Sequence, residues 1–366
     1  MIFTLRQTDP LLLAVLYAFV IAFLITPLAL WAAKRTGLID IPNAEPHKKH
    51  TRPVPIAGGI ALFATVLLTF GMLNDQFSDE TRKLLIPASI VFAFGLFDDY
   101  RPIRPKHKAV AQACATIVLI LLGTQVHVFE SFFPLSGTLS WLPKTLDILV
   151  TVFWMVFIIN AVNLIDSADS LAIGISNVTM IFCILLTMDT GQWEIVYLCG
   201  ILLGGGIVIS FFNASPAKLF LGDSGAQLIG FFLGVIAILY NPPVKTQAST
   251  WFVPILMLGV PIFDTVLVTY SRWRRKLMFY SSGTDHTYHR LVALRFSPAQ
   301  AVALIQLAAT GLQVFALFLT SKDPLFANIL FFLIAAAGVA LILLLTEGKG
   351  ILEPIFKRPG QPPNNE

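Results

Sequence analysis

The sequence predicts an all-α polytopic integral membrane protein of about eleven transmembrane helices, with its N-terminus outside and its C-terminus cytoplasmic. Three observations predict it. The 366 residues are 56% hydrophobic and only 13% charged, against about 25% charged in a soluble domain. Mean hydropathy is +0.78. Apolar runs near the ~20-residue length that crosses a bilayer recur from one end of the chain to the other. The net charge of +4 is modest, so no nucleic-acid partner is expected. Cys114, Cys183 and Cys199 lie in apolar runs without CxxC or Cys/His spacing and read as small buried hydrophobes.

The runs fall at 11–33, 54–73, 84–97, 109–126, 146–162, 170–188, 194–212, 225–240, 251–270, 299–320 and 325–346. The first is too long for a cleaved signal peptide and lacks a small-residue cleavage site, so it reads as a true span. The third and fifth are short or soft-edged. Eleven crossings put the termini on opposite sides. Nineteen of the 25 Lys and Arg then fall in one alternate set of loops plus the C-terminal tail, and six in the other. That asymmetry places the basic set in the cytoplasm. Of the outward loops, 74–83 is short and polar, while 124–145 carries Phe129, Phe132, Phe133 and Trp141 and suits the membrane interface. A single membrane domain is expected over 1–346, with cytoplasmic site loops at 34–53, 98–108, 160–169, 213–224 and 271–298 and a disordered cytoplasmic tail at 347–366.

Seven acids sit at or just beyond the ends of apolar runs, all on the basic side: Asp98, Asp99, Asp166, Asp169, Asp223, Asp264 and Asp285. A carboxylate at a bilayer boundary is costly unless it meets water, a cation or a metal. Seven facing one compartment point to a divalent cation and a polyanionic substrate.

Five segments carry the candidate chemistry. The loop DIPNAEPHKKHTRPVPIAGG offers Lys48 and His50 as phosphate contacts, with Gly58 and Gly59 allowing close backbone approach; a positive-inside anchor is the alternative. GLFDDYRPIRPKHKAVAQ sets Asp98 and Asp99 at a span end and Lys108 and Gln112 on one face of the next helix; a solvated ion pair is the alternative. In NAVNLIDSADSLA, Asn160, Asn163, Asp166 and Asp169 recur every three residues, which in a helix makes one polar face suited to a base or a sugar. In NASPAKLFLGDSGA, Gly222 and Gly225 bracket Asp223, a candidate Mg²⁺ ligand that also suits a helix N-cap. The last loop follows Asp264 and sets Asp285, His286, His289 and Arg290 together as phosphate donors, or as part of a lipid-anchoring loop.

In order and spacing, GLFDDYRPIRPKHKAVAQ, NAVNLIDSADSLA, PAKLFLGDSGA, PIFDT and DHTYHRL resemble the polyprenyl-phosphate N-acetylhexosamine-1-phosphate transferases (the MraY/WecA type) over about residues 30–295. DHTYHRL is similar to the branch that uses UDP-N-acetylhexosamines. The resemblance implies transfer of a sugar-1-phosphate, N-acetylglucosamine-1-phosphate by default, from a UDP-sugar to undecaprenyl phosphate. UMP is released, and a lipid-linked envelope glycan is begun. It implies Mg²⁺, with Mn²⁺ as a substitute, the cytoplasmic face of a bacterial inner membrane, and a homodimer. Asp223 would be the main Mg²⁺ ligand, with Asp98 or Asp99 joining it. Asp98 and Asp99 would face the lipid phosphate, Lys108 would hold a phosphate, and Asn163 and Asp166 would line the nucleotide and sugar site. Asn160, Asp169, Asp264 and Asp285 would belong to the substrate site, and His286, His289 and Arg290 would close over the sugar phosphate.

Three departures stand out. Ser167 and Ser170 replace the two glycines of the usual Asp-Gly-x-Asp-Gly, Tyr288 stands where a middle histidine is usual, and the first loop carries extra length before His50. A serine forced to positive φ costs roughly 1 kcal/mol or more. A phosphomonoester acceptor with a second pKa near 6 is mostly dianionic at neutral pH, so charge neutralisation matters more than a general base. Direct attack on the β-phosphorus is the preferred mechanism and a covalent aspartyl-phosphate the second. A transporter and an inactive relative are the competing functions.

Overall fold

The structure is a computed structural model and describes residues 2–42, 52–133, 139–242, 250–278, 283 and 285–347. α1 (Ile2–Thr36) contains the first apolar run. Gly37, at φ +75°, turns the chain out of it. β1 (Ile39–Asp40) then pairs antiparallel with β2 (Val54–Pro55), Ile39 opposite Pro55 and Asp40 opposite Val54. This small hairpin departs from the all-α expectation. Pro53 and Pro55 hold the chain extended and cannot continue a helix.

α2 (Gly58–Met72) follows, then a 3-10 turn at Asn74–Gln76 and α3 (Asp79–Lys83), capped by Ser78. The rest of the chain is α4 (Leu85–Tyr100), α5 (Pro105–Leu121), α6 (Val128–Phe132), α7 (Trp141–Ile165), α8 (Leu171–Asp189), α9 (Trp193–Asn213), α10 (Gly222–Leu239), α11 (Val253–Met257), α12 (Gly259–Arg274), α13 (Thr287–Ala293), α14 (Pro298–Leu319) and α15 (Pro324–Glu347).

Seven helices are long and apolar enough to cross a membrane: residues 9–36 of α1, and α7, α8, α9, α10, α14 and α15. The other four expected runs form helices of 15 to 17 residues: α2, α4, α5 and α12. At 1.5 Å per residue these reach about 22–26 Å, short of a ~30 Å hydrocarbon core. The expected run 251–270 breaks at Leu258 into α11 and α12. The cause is local: Pro261 has no N–H for the Met257 carbonyl, and Gln313 Nε2 donates to that carbonyl instead, at 3.2 Å.

α10 forms the centre of the bundle. Every residue from Ser224 to Ile236 is buried, and the helix packs against α4, α7 and α2. A helix apolar on all sides is a core helix. By contrast α15 buries only Ala327, Phe331 and Ile342, so its apolar surface faces outward. α1 lies along α9, with Ala14 and Ala18 against Gly200 and Gly204; small residues let helices approach closely in lipid. This packing brings four helix ends to one place: the C-termini of α4 and α7 and the N-termini of α5 and α10.

Candidate active site

The first turn of α10 shows how the site is built. The opening N–H groups of a helix have no partners within it, and no local side chain caps this one. Asp99, at the far end of α4, supplies the cap. Its Oδ1 accepts from Asp223 N at 2.7 Å, and its Oδ2 accepts from Ser224 N at 3.1 Å and Ser224 Oγ at 2.6 Å. Gly222 makes room for it: φ is +75°, and a Cβ there would lie 2.8 Å from Asp99 Oδ2. Asp99 was expected to face the reaction centre. It lies instead behind the wall, where its charge complements the positive end of the helix.

Asp98 faces the other way. It is 3% exposed, its Oδ1 accepts from Ile103 N at 2.8 Å, and its Oδ2 pairs with the Lys108 ammonium. Lys108 Nζ also donates to Asp223 Oδ2 at 2.8 Å. One cation from α5 therefore bridges two carboxylates, one from α4 and one from α10. Asn163 and Asp98 neighbour the Asp223 carboxyl.

The polar stripe of the third segment is helical only in its first half. Asn160 and Asn163 lie on α7, Asp166 is the residue that ends it, and Asp169 sits in the turn before α8. Asp169 Oδ2 accepts from Ala217 N at 3.3 Å. Buried Asn213 ties the same turn to the loop before α10: its Oδ1 accepts from Ser170 N at 2.8 Å, and its Nδ2 donates to Leu219 O at 2.9 Å. Ser170 has φ +63°, and Ser167 is not among the positive-φ residues. Of the two glycine replacements, then, Ser170 alone carries a left-handed backbone. Burial, together with the charges of Asp223, Asp169 and Asp99, pushes the Asp166 carboxyl up to about 7.

Gly58 and Gly59 were expected to let a phosphate approach. Their backbone meets the α10 entry instead. Gly58 N donates to Phe220 O and Gly59 N to Leu221 O, both at 3.0 Å, and a Cβ on Gly59 would overlap Ser224. Gly95 on α4 serves the same packing, since its Cβ would lie 2.6 Å from Ser224 Cα.

The last loop forms the opposite wall. Asp264, 1% exposed, accepts from Thr287 N at 2.6 Å and Thr287 Oγ1 at 2.7 Å and bonds His286 Nδ1 at 2.8 Å. It was expected to contact substrate. Its oxygens are occupied by the first turn of α13, so it holds His286 rather than a ligand. Asp285 pairs with Arg275 and, at 3.2 Å, with Arg272 Nε, and these guanidinium charges hold its carboxyl below the usual range despite burial. Arg290 donates to Asp285 O, Leu345 O and Ser271 Oγ at 2.9, 2.6 and 2.5 Å. It fastens α13 to α15 and α12 and keeps only part of its five-donor fork for a phosphate.

Asp98, Lys108, Asn160, Asn163, Asp166, Asp169, Asp223, Asp285, His286, His289 and Arg290 line one open cleft; Asp99 and Asp264 do not. The cleft holds roughly 3460 Å³, well beyond the 300–1,000 Å³ of a one-ligand pocket. One side is apolar, formed by Val110 and Ala113 of α5 and Val152, Phe153, Val156 and Phe157 of α7. Lys48 and His50 lie outside the described residues. So does the tail beyond Glu347.

Hard carboxylate oxygens with a nearby amide suit Mg²⁺, and Asp223 and Asp98 supply them where the cleft is most acidic. Among the described residues, one group of three acid or histidine side chains has ligand atoms within 4.8 Å of one another, and it lies elsewhere: His127, Glu130 and Asp147. It sits about 28 Å along α7 from Asp166 at the helical rise. Both Asp147 oxygens already accept from Phe129 N and Glu130 N, at 2.8 and 3.0 Å, which makes Asp147 the anchor of α6.

Sequence reasoning misses Asn213, Gln227 and Arg272. Gln227 alone left a signal, as a polar residue one turn beyond Asp223 inside an otherwise apolar run.

Residues 81–241 match the family model described as glycosyl transferase family 4. The chain is 28% identical over 356 residues to a Bacillus subtilis (strain 168) protein named probable undecaprenyl-phosphate N-acetylglucosaminyl 1-phosphate transferase, covering 95% of this chain and 96% of the relative. It is 28% identical over 300 residues to the undecaprenyl-phosphate alpha-N-acetylglucosaminyl 1-phosphate transferase of Escherichia coli (strain K12), covering 78% and 79%. The Salmonella typhimurium protein of the same name is 28% identical over 311 residues, covering 81% and 82%.

Proposed function

Because the chain belongs to glycosyl transferase family 4, we propose that it transfers N-acetylglucosamine-1-phosphate from its UDP-sugar to undecaprenyl phosphate and releases UMP. The observation that carries this reading is the convergence of Asp98, Lys108, Asn163, Asp166 and Asp223 at four helix ends, in a cleft with one apolar side. The cleft has room for two substrates, and its apolar side suits a prenyl chain arriving from the bilayer. The site faces the cytoplasm of a bacterial inner membrane. One membrane domain over 1–346 crosses eleven times, N-terminus outside, with α2, α4, α5 and α12 as its short crossings. A homodimer is the assembly.

In the reaction an acceptor phosphate oxygen attacks the β-phosphorus. A bond forms there, the bond to the bridging oxygen breaks, and that oxygen leaves on UMP. Two anions must meet, so neutralising charge is the main task. Lys108 is the cation placed for this: it reaches between Asp98 and Asp223 and can shift to a phosphate oxygen. Asp223 and Asp98 would hold Mg²⁺ (or Mn²⁺), which when bound neutralises pyrophosphate charge. Asn163 orients the Asp223 side of the site, and Asp264 fixes the ring of His286 on the facing wall. Both oxygens of Asp99 already meet the N–H groups of α10 and Asp98 Oδ1 meets Ile103 N, which favours direct attack over an aspartyl-phosphate. The charged groups gather at helix ends, which favours transfer over carriage through the bilayer centre.

The test is UMP release by purified protein given Mg²⁺, undecaprenyl phosphate and a panel of UDP-sugars, with Asp223→Asn beside it. UMP that needs lipid, metal and one sugar, and that disappears in the variant, supports the reading. No UMP with any donor, from protein that binds undecaprenyl phosphate, overturns it.

A further inference from the structure

One turn deeper than the site, three side-chain amides meet. Gln112 lies four residues beyond Lys108 on α5, Gln227 four beyond Asp223 on α10, and Asn160 three before Asn163 on α7. α5 and α10 run away from the cleft and α7 runs toward it, so the three share one layer. Asn160 Nδ2 donates to Gln112 Oε1 at 2.6 Å, and Gln112 Nε2 donates to Gln227 Oε1 at 3.0 Å. Asn160 Nδ2 also donates to Val156 O at 2.7 Å. Gln112 and Gln227 are 2% and 3% exposed, among buried Ala111, Ala115, Ile159, Ala226 and Leu228. Apolar side chains of the same length would fill this layer without the desolvation of two amides. What amides add is direction: a buried polar pair is satisfied in one register and unsatisfied in its neighbours.

That register sets the three helices whose first exposed turns carry Lys108, Asp223 and Asn163. The Lys108–Asp223 ion pair must open when a phosphate or a cation enters, and α5 and α10 then lose their bond at the mouth of the cleft. We propose that the Asn160–Gln112–Gln227 amide chain is a positioning device that holds Lys108 and Asp223 in register while their ion pair opens. It rests on the transferase reading above, and its members act through the site residues one turn away.

The test compares Gln227→Met with the double variant Gln112→Met/Gln227→Met. Met keeps the length, and the double change leaves no amide stranded, because Asn160 keeps its bond to Val156 O. Gln313→Met is the control: this buried amide on α14 bonds Thr179 Oγ1 and Met257 O away from the cleft. Four quantities are read in detergent: melting temperature, kcat and KM for UMP release, and the Kd for Mn²⁺ by electron paramagnetic resonance without substrate. The single variant should melt lower than the parent. The double variant should recover melting to within a few degrees, yet keep a kcat about tenfold or more below the parent, with KM for the UDP-sugar within threefold and the Mn²⁺ Kd raised about fivefold. Gln313→Met should lower melting alone. A folded double variant whose kcat and Mn²⁺ Kd both lie within twofold of the parent overturns the inference. If the parent releases no UMP, the transferase reading fails, and the Mn²⁺ comparison still decides the positioning role. A parent that neither binds Mn²⁺ nor releases UMP overturns both.

Discussion

Lys108 Nζ lies 2.8 Å from Asp223 Oδ2, and the same ammonium pairs with Asp98, so a lysine stands between the two carboxylates best placed to share a cation. Lysine and metal then compete for the same oxygens. Lys108→Gln should have effects of opposite sign on binding and turnover. Substrate-free Mn²⁺ affinity should rise about tenfold, which is about 1.4 kcal/mol, because the carboxylates lose their resident charge. Transfer should fall about 100-fold or more, because the phosphate loses its cation. Metal titration followed by electron paramagnetic resonance, set beside UMP release, checks both. A fall in both would mean that Lys108 supports the metal site rather than occupying it.

Asp99 acts on the helix that carries Asp223. Removing its carboxylate strands the N–H groups of Asp223 and Ser224 and the Ser224 hydroxyl. Asp99→Ala should therefore cost about 2–3 kcal/mol of stability, from a lost cap and unsatisfied buried donors. Asp223→Asn keeps that cap and should melt near the parent. Thermal unfolding in detergent separates the two. Equal melting temperatures for the parent and Asp99→Ala would remove the capping role.

The comparison of Asp98 with Asp99 marks how far the sequence reads. Both stand at the end of an apolar run, which is why both were candidates, yet one lines the cleft and the other caps α10. Nothing local separates them, because the deciding partner of Asp99 lies 124 residues away. The position of Gln227 in an apolar run is a signal, but its role is illegible for the same reason: its partner is 115 residues distant, and inside a run of Leu, Ile and Phe one amide reads as a tolerated polar residue. The apolar runs themselves were legible because their period and length are local properties. The ends of α2, α4, α5 and α12 were not, since prolines and tertiary packing shift them in either direction. Asn160 and Asn163 share α7 as their spacing predicts. The helix stops before Asp166, where Ser167 N turns back to Ile165 O at 2.7 Å.

Ser170 occupies a left-handed backbone position, φ +63°, where the resembling family places glycine. Its N–H bonds Asn213 Oδ1 at 2.8 Å and its carbonyl accepts from Gln306 Nε2 at 2.8 Å, and both are backbone bonds that glycine keeps. Ser170→Gly should stabilise the protein by about 1 kcal/mol through relief of the Cβ strain, leaving UMP release within twofold. An unchanged or lower melting temperature would mean that the hydroxyl, which reaches Asn213 O at 3.4 Å, offsets the strain.

Asp166 makes stability depend on pH, and the sign follows from its direction. Burial and the neighbouring acids raise its carboxyl to about 7 in the fold, against about 3.9 in an unfolded chain. Between those values the folded state binds more protons than the unfolded state, so this residue makes stability fall as pH rises from about 4 to about 7 and level off above. Asp166→Asn removes the dependence. Without metal the variant should melt close to the parent at pH 4 and a few degrees above it at pH 8, an effect kept small because the cleft side of Asp166 meets water. Added Mg²⁺ should narrow the gap at pH 8 by balancing the crowded charge around Asp166, Asp169 and Asp223. A gap that stays constant from pH 4 to pH 8 would mean that Asp166 is ionised throughout this range, and that the acidic end of the cleft is better hydrated than its burial implies.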